Sequence, residues 1–108
     1  MATFAYYKIS STDATTISAK EVGDPKSITL CNLDASGDDC TIDLYLEDGL
    51  GANDAQNPIY ILHNIVIPSG TTLVLEHPEI LYDSITYGLT VLLTSVSATQ
   101  LLDIKVAY

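Results

Sequence analysis

The sequence contains no tryptophan, no arginine and only two cysteines among its 108 residues. Four lysines stand against 14 acidic residues, so the net charge is −10. This charge argues against nucleic-acid binding, which depends on Lys and Arg neutralising phosphates. Two cysteines cannot supply the two CxxC pairs of a structural zinc site. We therefore expect no cofactor and no nucleic-acid partner.

Long apolar runs are also missing, although hydrophobic residues make up 47% of the chain. Thr, Asn, Pro or Asp interrupts each apolar run within a few residues, whereas a membrane helix needs about 20 apolar residues. The first residues, MATFAYYK, lack the apolar region of a secretory signal. We expect a protein that is made in the cytoplasm and has no membrane partner.

Short segments of alternating apolar and polar residues, separated by Gly, Pro, Asp and Ser, run along the whole chain. This period of two indicates β-strands, and no segment shows a sustained helical period. The predicted strands are Ala5–Ile9, Thr15–Ala19, Ser27–Asn32, Thr41–Glu47, Ile59–Ile67, Thr71–Glu76, Ile80–Tyr82, Tyr87–Ser95 and Leu101–Tyr108.

Eight or nine short strands at this spacing predict an all-β protein, and specifically a small antiparallel β-sandwich that is jelly-roll-like. A chain of 108 residues is long enough for one such domain and too short for two. We expect residues 27–108 to form the sandwich core. Residues 1–26 are less apolar, and we expect them to form an extended N-terminal arm or edge strands.

Two local patterns give detailed expectations. In Thr41–Glu47, strict alternation predicts that Ile42, Leu44 and Leu46 point into the core, while Asp43 and Tyr45 point outward with Thr41 and Glu47. The sequence IPSGT at 67–71 separates two apolar runs, which predicts a β-hairpin with a type I turn. The segments 48–58 and 95–100 are predicted to be connections.

The two cysteines flank a predicted loop. Cys31 shares a strand face with Thr29, whereas Cys40 shares a face with Ile42, so the two side chains are expected on opposite faces. A disulfide requires Cβ atoms about 3.8 Å apart. Two free thiols are therefore the favoured interpretation, and a disulfide remains open if a bulge intervenes.

No set of residues predicts catalysis, and we expect a protein without enzymatic activity. His63 lies on the predicted face of Ile61 and Ile65, which favours a hydrogen-bonded sandwich residue, and His77 precedes Pro78 in a turn. No Gly-x-Ser-x-Gly nucleophile motif occurs. Acidic loop residues have the oxygen ligands that Ca²⁺ takes, although solvated turn residues are the favoured interpretation. These residues are Asp38, Asp39, Asp48 and Asp54.

Charged residues make up 17% of the chain, below the roughly 25% of typical soluble domains. Protein interfaces are depleted in charge and enriched in Tyr. This composition favours a surface that is partly covered by copies of the chain or by a larger assembly, and a Thr-rich sandwich face is the alternative. Aromatic residues near the two termini are the candidate interface anchors. They are Phe4, Tyr6, Tyr7 and Tyr108.

Four segments carry a family resemblance: SITLCN at 27–32, TIDLYLED at 41–48, YILHNIVIPSGTTLVL at 60–75 and LLDIKV at 101–106. Over residues 27–106 the chain resembles small β-sandwich virion proteins of tailed bacteriophages, of the kind carried by cyanophages. The shared motifs are structural, and the family supplies no catalytic residues to transfer.

The resemblance implies a capsid decoration (cement) protein that stabilises the phage head by bridging shell subunits. It implies a homo-oligomer, expected to be a homotrimer, whose partner is the major capsid protein. The chain would be made in the host cytoplasm and located on the virion surface. A neck, tail or fibre-associated subunit is an alternative. So is a carbohydrate-binding sandwich with Tyr45 and Tyr60 as an aromatic platform.

Overall fold

A computed structural model describes residues 3–34, 37–47, 58–95 and 101–108. These residues form eight strands and no helix. The strands are β1 (Phe4–Ile9), β2 (Thr15–Ser18), β3 (Ser27–Asn32), β4 (Cys40–Glu47), β5 (Ile59–Ile67), β6 (Thr72–Glu76), β7 (Gly88–Ser95) and β8 (Leu102–Ala107). The all-β prediction is confirmed, and each strand begins and ends within one residue of a predicted one. Of the connections predicted at 48–58 and 95–100, residues 48–57 and 96–100 lie outside the described residues.

The strands form two antiparallel four-stranded sheets. Sheet A has the order β1-β8-β3-β6, and sheet B has the order β2-β7-β4-β5. Strand β1 pairs with β8, β2 with β7, β3 with β6 and β4 with β5, all antiparallel. Each strand in the first half of the chain therefore pairs with one strand in the second half. Two further pairings, β3 with β8 and β4 with β7, complete the sheets. This arrangement is a jelly roll, and it confirms the predicted β-sandwich.

The core lies between the two sheets and is formed by every second residue of the strands. Ile28 and Leu30 of β3 are fully buried between less buried neighbours, and β8 shows the same alternation. Because successive side chains of a strand point to opposite faces, this pattern leaves one face of each sheet outside the core. Other fully buried core residues are Ile17, Ile42, Leu44, Leu89, Val91, Leu93, Leu102 and Val106.

The ninth predicted strand, Ile80–Tyr82, is wrong, because Ile80 ends a turn and the next two residues have no regular structure. The Glu79 amide donates to the Glu76 carbonyl (2.8 Å), and the Leu81 amide donates to the Pro78 carbonyl (3.0 Å). These local hydrogen bonds replace a strand ladder. Ile80 nevertheless packs into the core, with 1% of its surface exposed, which explains the apolar signal.

The hairpin predicted around residues 67–71 is also wrong, because the turn links the two sheets. Strand β5 pairs with β4 in sheet B, whereas β6 pairs with β3 in sheet A. The Thr71 amide donates to the Pro68 carbonyl (3.1 Å), so Pro68 is the first residue of the turn. Gly70 has φ +74 at the third position, which is the signature of a type II turn and not of type I.

Asn32, at the end of β3, is fully buried and fixes the turn through which the chain passes from sheet B to sheet A. Its Nδ2 donates to the carbonyls of Ile67 (2.8 Å) and Asp38 (3.1 Å), and its Oδ1 accepts from the Asp34 amide (2.9 Å). Its backbone accepts from the Gly70 amide and donates to Thr71, both at 3.0 Å. One buried residue therefore ties β3 of sheet A to the end of β5 in sheet B.

The predicted alternation of β4 is correct in direction, but two of its outward side chains are less exposed than expected. Ile42 and Leu44 are buried as predicted, but Asp43 and Tyr45 are also buried, with 4% and 3% of their surfaces exposed. Strand β4 is interior to its sheet, and β5 is irregular beside it. Ile42 pairs with Ile65 and Leu44 with Leu62, so residues 63 and 64 of β5 both lie opposite Asp43.

This arrangement is a β-bulge, in which two residues of one strand oppose a single residue of the other. Asn64 has φ +54 within it. The bulge brings the Asn64 amide 2.7 Å from Asp43 Oδ1, and His63 Nδ1 lies 3.0 Å from the same oxygen. A buried carboxylate is tolerated when it is hydrogen-bonded, so Asp43 is a structural acceptor of the bulge.

We predict that Asn32→Asp destabilises the protein by about 3–5 kcal/mol at neutral pH, because it places an uncompensated charge in a buried site. The new oxygen would face the Ile67 and Asp38 carbonyls, which now accept hydrogen bonds. Urea unfolding measures the loss, and lowering the pH should reduce it, since a protonated acid can donate one hydrogen bond. Near-native stability at pH 7 would show that Asn32 does not link the sheets.

We predict that Asp43→Ala lowers the free energy of unfolding by about 1–3 kcal/mol, because it leaves the Asn64 amide without its acceptor. His63→Ala is the matched control, since it removes only the exposed member of the pair and should cost less than about 1 kcal/mol. A cost for Asp43→Ala as small as that of the control would place this side chain in solvent.

Candidate interaction surface

Strand β1 divides its side chains between solvent and core. Phe4, Tyr6 and Lys8 are exposed on the outer face of sheet A, whereas Ala5, Tyr7 and Ile9 face the core. Phe4 has 48% and Tyr6 has 71% of its surface exposed. Such exposure is unusual for neighbouring large aromatic residues and marks a candidate binding surface.

The rings of Phe4 and Tyr6 lie side by side, with centroids 6.4 Å apart and planes within 20° of parallel. Beside them, Lys8 Nζ lies 2.5 Å from Asp103 Oδ1 across the β1–β8 pairing. An open depression of about 490 Å³ extends over the outer face of sheet A. It is bordered by Tyr6, Lys8, Thr29, Cys31, Asp103 and Lys105.

The outer face of sheet A is close to neutral, because Lys8 and Lys105 on this face are balanced by Asp103 and Glu76. Lys8 and Lys105, two of the four cationic residues of the chain, border the depression, with Asp103 as the acid among its lining residues. In sequence, the first acidic residue is Asp13, so no acid precedes or interrupts β1. The outer face of sheet A therefore differs in charge from the protein as a whole, which carries −10.

The other two predicted anchors, Tyr7 and Tyr108, lie between the sheets and pack against the core. The Tyr7 hydroxyl donates to the Ile17 carbonyl (3.2 Å). The Tyr108 hydroxyl lies 3.5 Å from that carbonyl and 3.0 Å from Ser18 Oγ. Burial, with a smaller contribution from Tyr108, raises the pKa of Tyr7. Both tyrosines link sheet A to β2 of sheet B.

The sequence indicates in part which of the four predicted anchors face the core and which face solvent. Tyr7 has the same parity as Ala5 and Ile9, which alone indicates a core-facing side chain. Three residues of the surface, Lys8, Asp103 and Lys105, were not predicted. The only signal for Lys8 is that a lysine occurs in a strand whose flanking sequence contains no acid.

A second aromatic group lies on the outer face of sheet B. Tyr60 is exposed, and its ring centroid lies 4.4 Å from that of His63 and 5.7 Å from that of Tyr45. Tyr45 itself is buried, and burial followed by the charge and hydrogen bond of Glu47 raises its pKa to about 12. The two tyrosines therefore do not form the exposed platform that a carbohydrate site would need.

The two histidines and the two cysteines lie on different elements of the structure. His63 is exposed beside Asp43, because the bulge removes it from the predicted face of Ile61 and Ile65. His77 is exposed in a turn. Cys31 and Cys40 are free thiols as favoured, and burial raises the pKa of the Cys40 thiol.

Within the described ranges, no group of three or more His, Cys, Asp or Glu side chains could hold a metal ion. Two of the acidic residues considered for calcium, Asp48 and Asp54, lie outside those ranges. The described part of the chain also contains no helix long and apolar enough to span a membrane.

No protein-family model matches this chain, and no curated protein or solved structure matches it significantly.

We predict that the two pairs of aromatic residues respond differently to substitution. Tyr7→Phe and Tyr108→Phe should each lower the free energy of unfolding by about 1 kcal/mol, because each removes a hydroxyl from a partly buried hydrogen bond. Tyr6→Ser should change stability by less than about 0.5 kcal/mol, since its side chain is exposed. Thermal and urea unfolding of the three variants provide the comparison. A large loss for Tyr6→Ser would make Tyr6 part of the core structure.

Proposed function

We propose that this protein is a structural, non-enzymatic subunit of a tailed-bacteriophage virion that decorates the capsid. We place its capsid-binding surface on the outer face of sheet A, centred on Phe4 and Tyr6. The observation that carries the proposal is this exposed pair of aromatic rings on a regular sheet face. Tyr is enriched among the residues that dominate binding energy at protein interfaces.

The composition supports an interface on this face. The chain has 17% charged residues, and the outer face of sheet A combines aromatic residues, Thr29 and Cys31 with a lysine–aspartate pair. The pair of Lys8 and Asp103 is exposed, so it contributes little to stability. We assign this pair to orienting a partner, because exposed charges at the rim of an interface set register and specificity.

The sequence resemblance supports the virion assignment. Its four segments coincide with β3, with β4, with β5 and β6 including their connecting turn, and with β8. Jelly rolls occur in viral capsid proteins, but also in lectins and cupins. A fold hosts many functions, so the architecture supports the proposal only by analogy.

In the proposed mechanism, the subunit binds where shell subunits meet and adds contact area across their boundaries. Its partner is the major capsid protein. Each contact need not be strong, since many linked contacts raise the overall avidity. A homotrimer would fit the three-fold positions of a shell. The acidic remainder of the surface would keep the free subunit soluble.

Carbohydrate binding is the second candidate, and the pair of Phe4 and Tyr6 is the observation that favours it. The two rings are close to parallel and exposed on one face, so aromatic surface is available to a sugar ring there. This pair replaces Tyr45 and Tyr60, which do not form a platform. A neck, tail or fibre-associated subunit would use the same face on a different part of the particle.

We predict that the double variant Phe4→Ser/Tyr6→Ser binds depleted phage heads at least tenfold more weakly than the unaltered protein. The reason is that the variant removes both aromatic anchors while leaving the core residues of β1 in place. Binding is measured by adding purified protein back to heads that lack it, and thermal melting checks the fold. Ile85→Ser is the matched control, because Ile85 is as exposed as Tyr6 (71%) but lies in a turn.

An electron-microscopy map of the native particle tests the location independently. Density for the subunit on the head supports the proposal, whereas density only at the neck or tail contradicts decoration and favours the alternative virion role. Equal binding of the double variant and the Ile85→Ser control would exclude the outer face of sheet A as the capsid-binding surface. Binding of the purified protein to glycans, lost in the double variant, would favour the carbohydrate candidate.

A further inference from the structure

In the described part of the chain, no strand pairs with β1 on the side away from β8, and the backbone groups of this edge can be assigned from the register of β1. Strand β1 pairs with β8 through Phe4–Ala107 to Ile9–Leu102 without a shift. The Tyr108 amide donates to the Thr3 carbonyl (2.9 Å), which makes residues 3 and 108 a hydrogen-bonded pair. Since such pairs alternate along an antiparallel ladder, Ala5, Tyr7 and Ile9 bond to β8. The amides and carbonyls of Phe4, Tyr6 and Lys8 therefore point away from β8 along the edge.

The other edge strands in the described part of the chain are less suited to accept a further strand. Strand β2 has four residues and a register shift after Thr16. Strand β5 is interrupted by the bulge at Asn64. Strand β6 has five residues and ends at Glu76, close to Pro78. Short length, bulges, charge and proline are the features by which proteins protect sheet edges. Strand β1 combines six residues with a regular register, and the one such feature it carries is Lys8, which is paired with Asp103.

We propose that β1 pairs with β1 of a second copy of this chain, antiparallel and across a twofold axis at Tyr6. In this register Tyr6 meets Tyr6 of the second copy, and Phe4 meets Lys8 of the second copy on both sides of the axis. All three residues with outward backbone groups then form hydrogen-bonded pairs, each of which exchanges two hydrogen bonds. The edge is self-complementary, as a twofold contact requires.

The side chains are complementary in the same register. Paired residues of neighbouring strands project from the same face, so the outer faces of the two copies of sheet A become one continuous surface. Lys8 would lie beside the Phe4 ring of the second copy, where a cation and an aromatic face attract each other. The two Tyr6 rings would lie next to each other over the axis, as aromatic cross-strand pairs do.

The charge distribution favours contact at β1 over the acidic parts of the surface. Two chains of net charge −10 repel each other on approach. The first twelve residues contain Lys8 and no acid, and Asp103 lies beside Lys8. Two copies that meet along β1 therefore bring acid-free strands together. The edge strand β5 also lies in an acid-free segment, residues 55–75, but its bulge interrupts the ladder.

The β1 contact gives a dimer and not the trimer expected from the sequence. It uses the backbone edge of β1 and leaves the side chains of Phe4 and Tyr6, proposed above to bind the capsid, on the outer surface of the dimer.

A single cysteine at the proposed axis tests the register. In a Cys31→Ser background, Tyr6→Cys should form a disulfide-linked dimer under mild oxidation. Hydrogen-bonded residues of paired strands have Cα atoms about 5.5 Å apart, within the range of disulfides. Phe4→Cys in the same background is the matched control, because its thiol would face Lys8 of the second copy and should crosslink at least tenfold more slowly.

Sedimentation equilibrium of the protein without substitutions provides the second measurement. We expect a monomer–dimer equilibrium that Tyr6→Lys weakens at least tenfold, because it places two lysines together on the axis, while Ile85→Lys leaves it unchanged. Thermal melting confirms that each variant is folded. A monomer at all concentrations, a trimer, or equally fast crosslinking of Phe4→Cys and Tyr6→Cys would overturn the proposal. Dimerisation without head binding would contradict the decoration function alone.

Discussion

The buried amide of Asn32 is the interaction on which the rest of this sandwich depends. The chain leaves sheet B after β5 and enters sheet A at β6, so the turn at 68–71 has no ladder of its own to hold it. Asn32 fixes the turn through side-chain hydrogen bonds to Ile67, Asp38 and Asp34. Its backbone also forms hydrogen bonds with the turn. Because these groups are buried, each bond left unmade would carry a desolvation cost. Asn32 therefore fixes the end of β5 in sheet B against β3 in sheet A.

At the opposite side of sheet A, β1 shows how one short strand serves two purposes. Its odd-numbered residues bond to β8 and pack on the core, and Tyr7 also reaches across to β2. Its even-numbered residues carry the exposed rings, the lysine and the outward backbone groups. Stability and recognition therefore depend on alternate residues of the same strand, and substitutions can separate them.

Much of the fold could be predicted from the sequence, because a period of two and turn residues are local signals. They located all eight strands of the described residues and the two cysteine environments. The errors have long-range causes. A Pro-Ser-Gly turn has the same local chemistry in a hairpin as in a link between sheets, and Asn32 decides between them. The burial of Asp43 depends on a bulge in β5, a strand 21 residues further along the chain. Two of the four predicted anchors, Phe4 and Tyr6, lie on the candidate surface. The choice of terminal aromatic residues did not distinguish Tyr6 from Tyr7, although the alternation of side chains along β1 would have done so.

The central claim is that β1 binds other molecules through its even-numbered residues while its odd-numbered residues hold it in the sheet. Residue-resolved amide hydrogen exchange of the protein, free and assembled, tests this claim most directly. In the dilute free protein, the amides of Ala5, Tyr7 and Ile9 should exchange slowly and those of Phe4, Tyr6 and Lys8 rapidly, because only the first set bonds to β8. On association, the second set should become protected. Protection confined to other strands, with Phe4, Tyr6 and Lys8 still exchanging rapidly, would contradict the account.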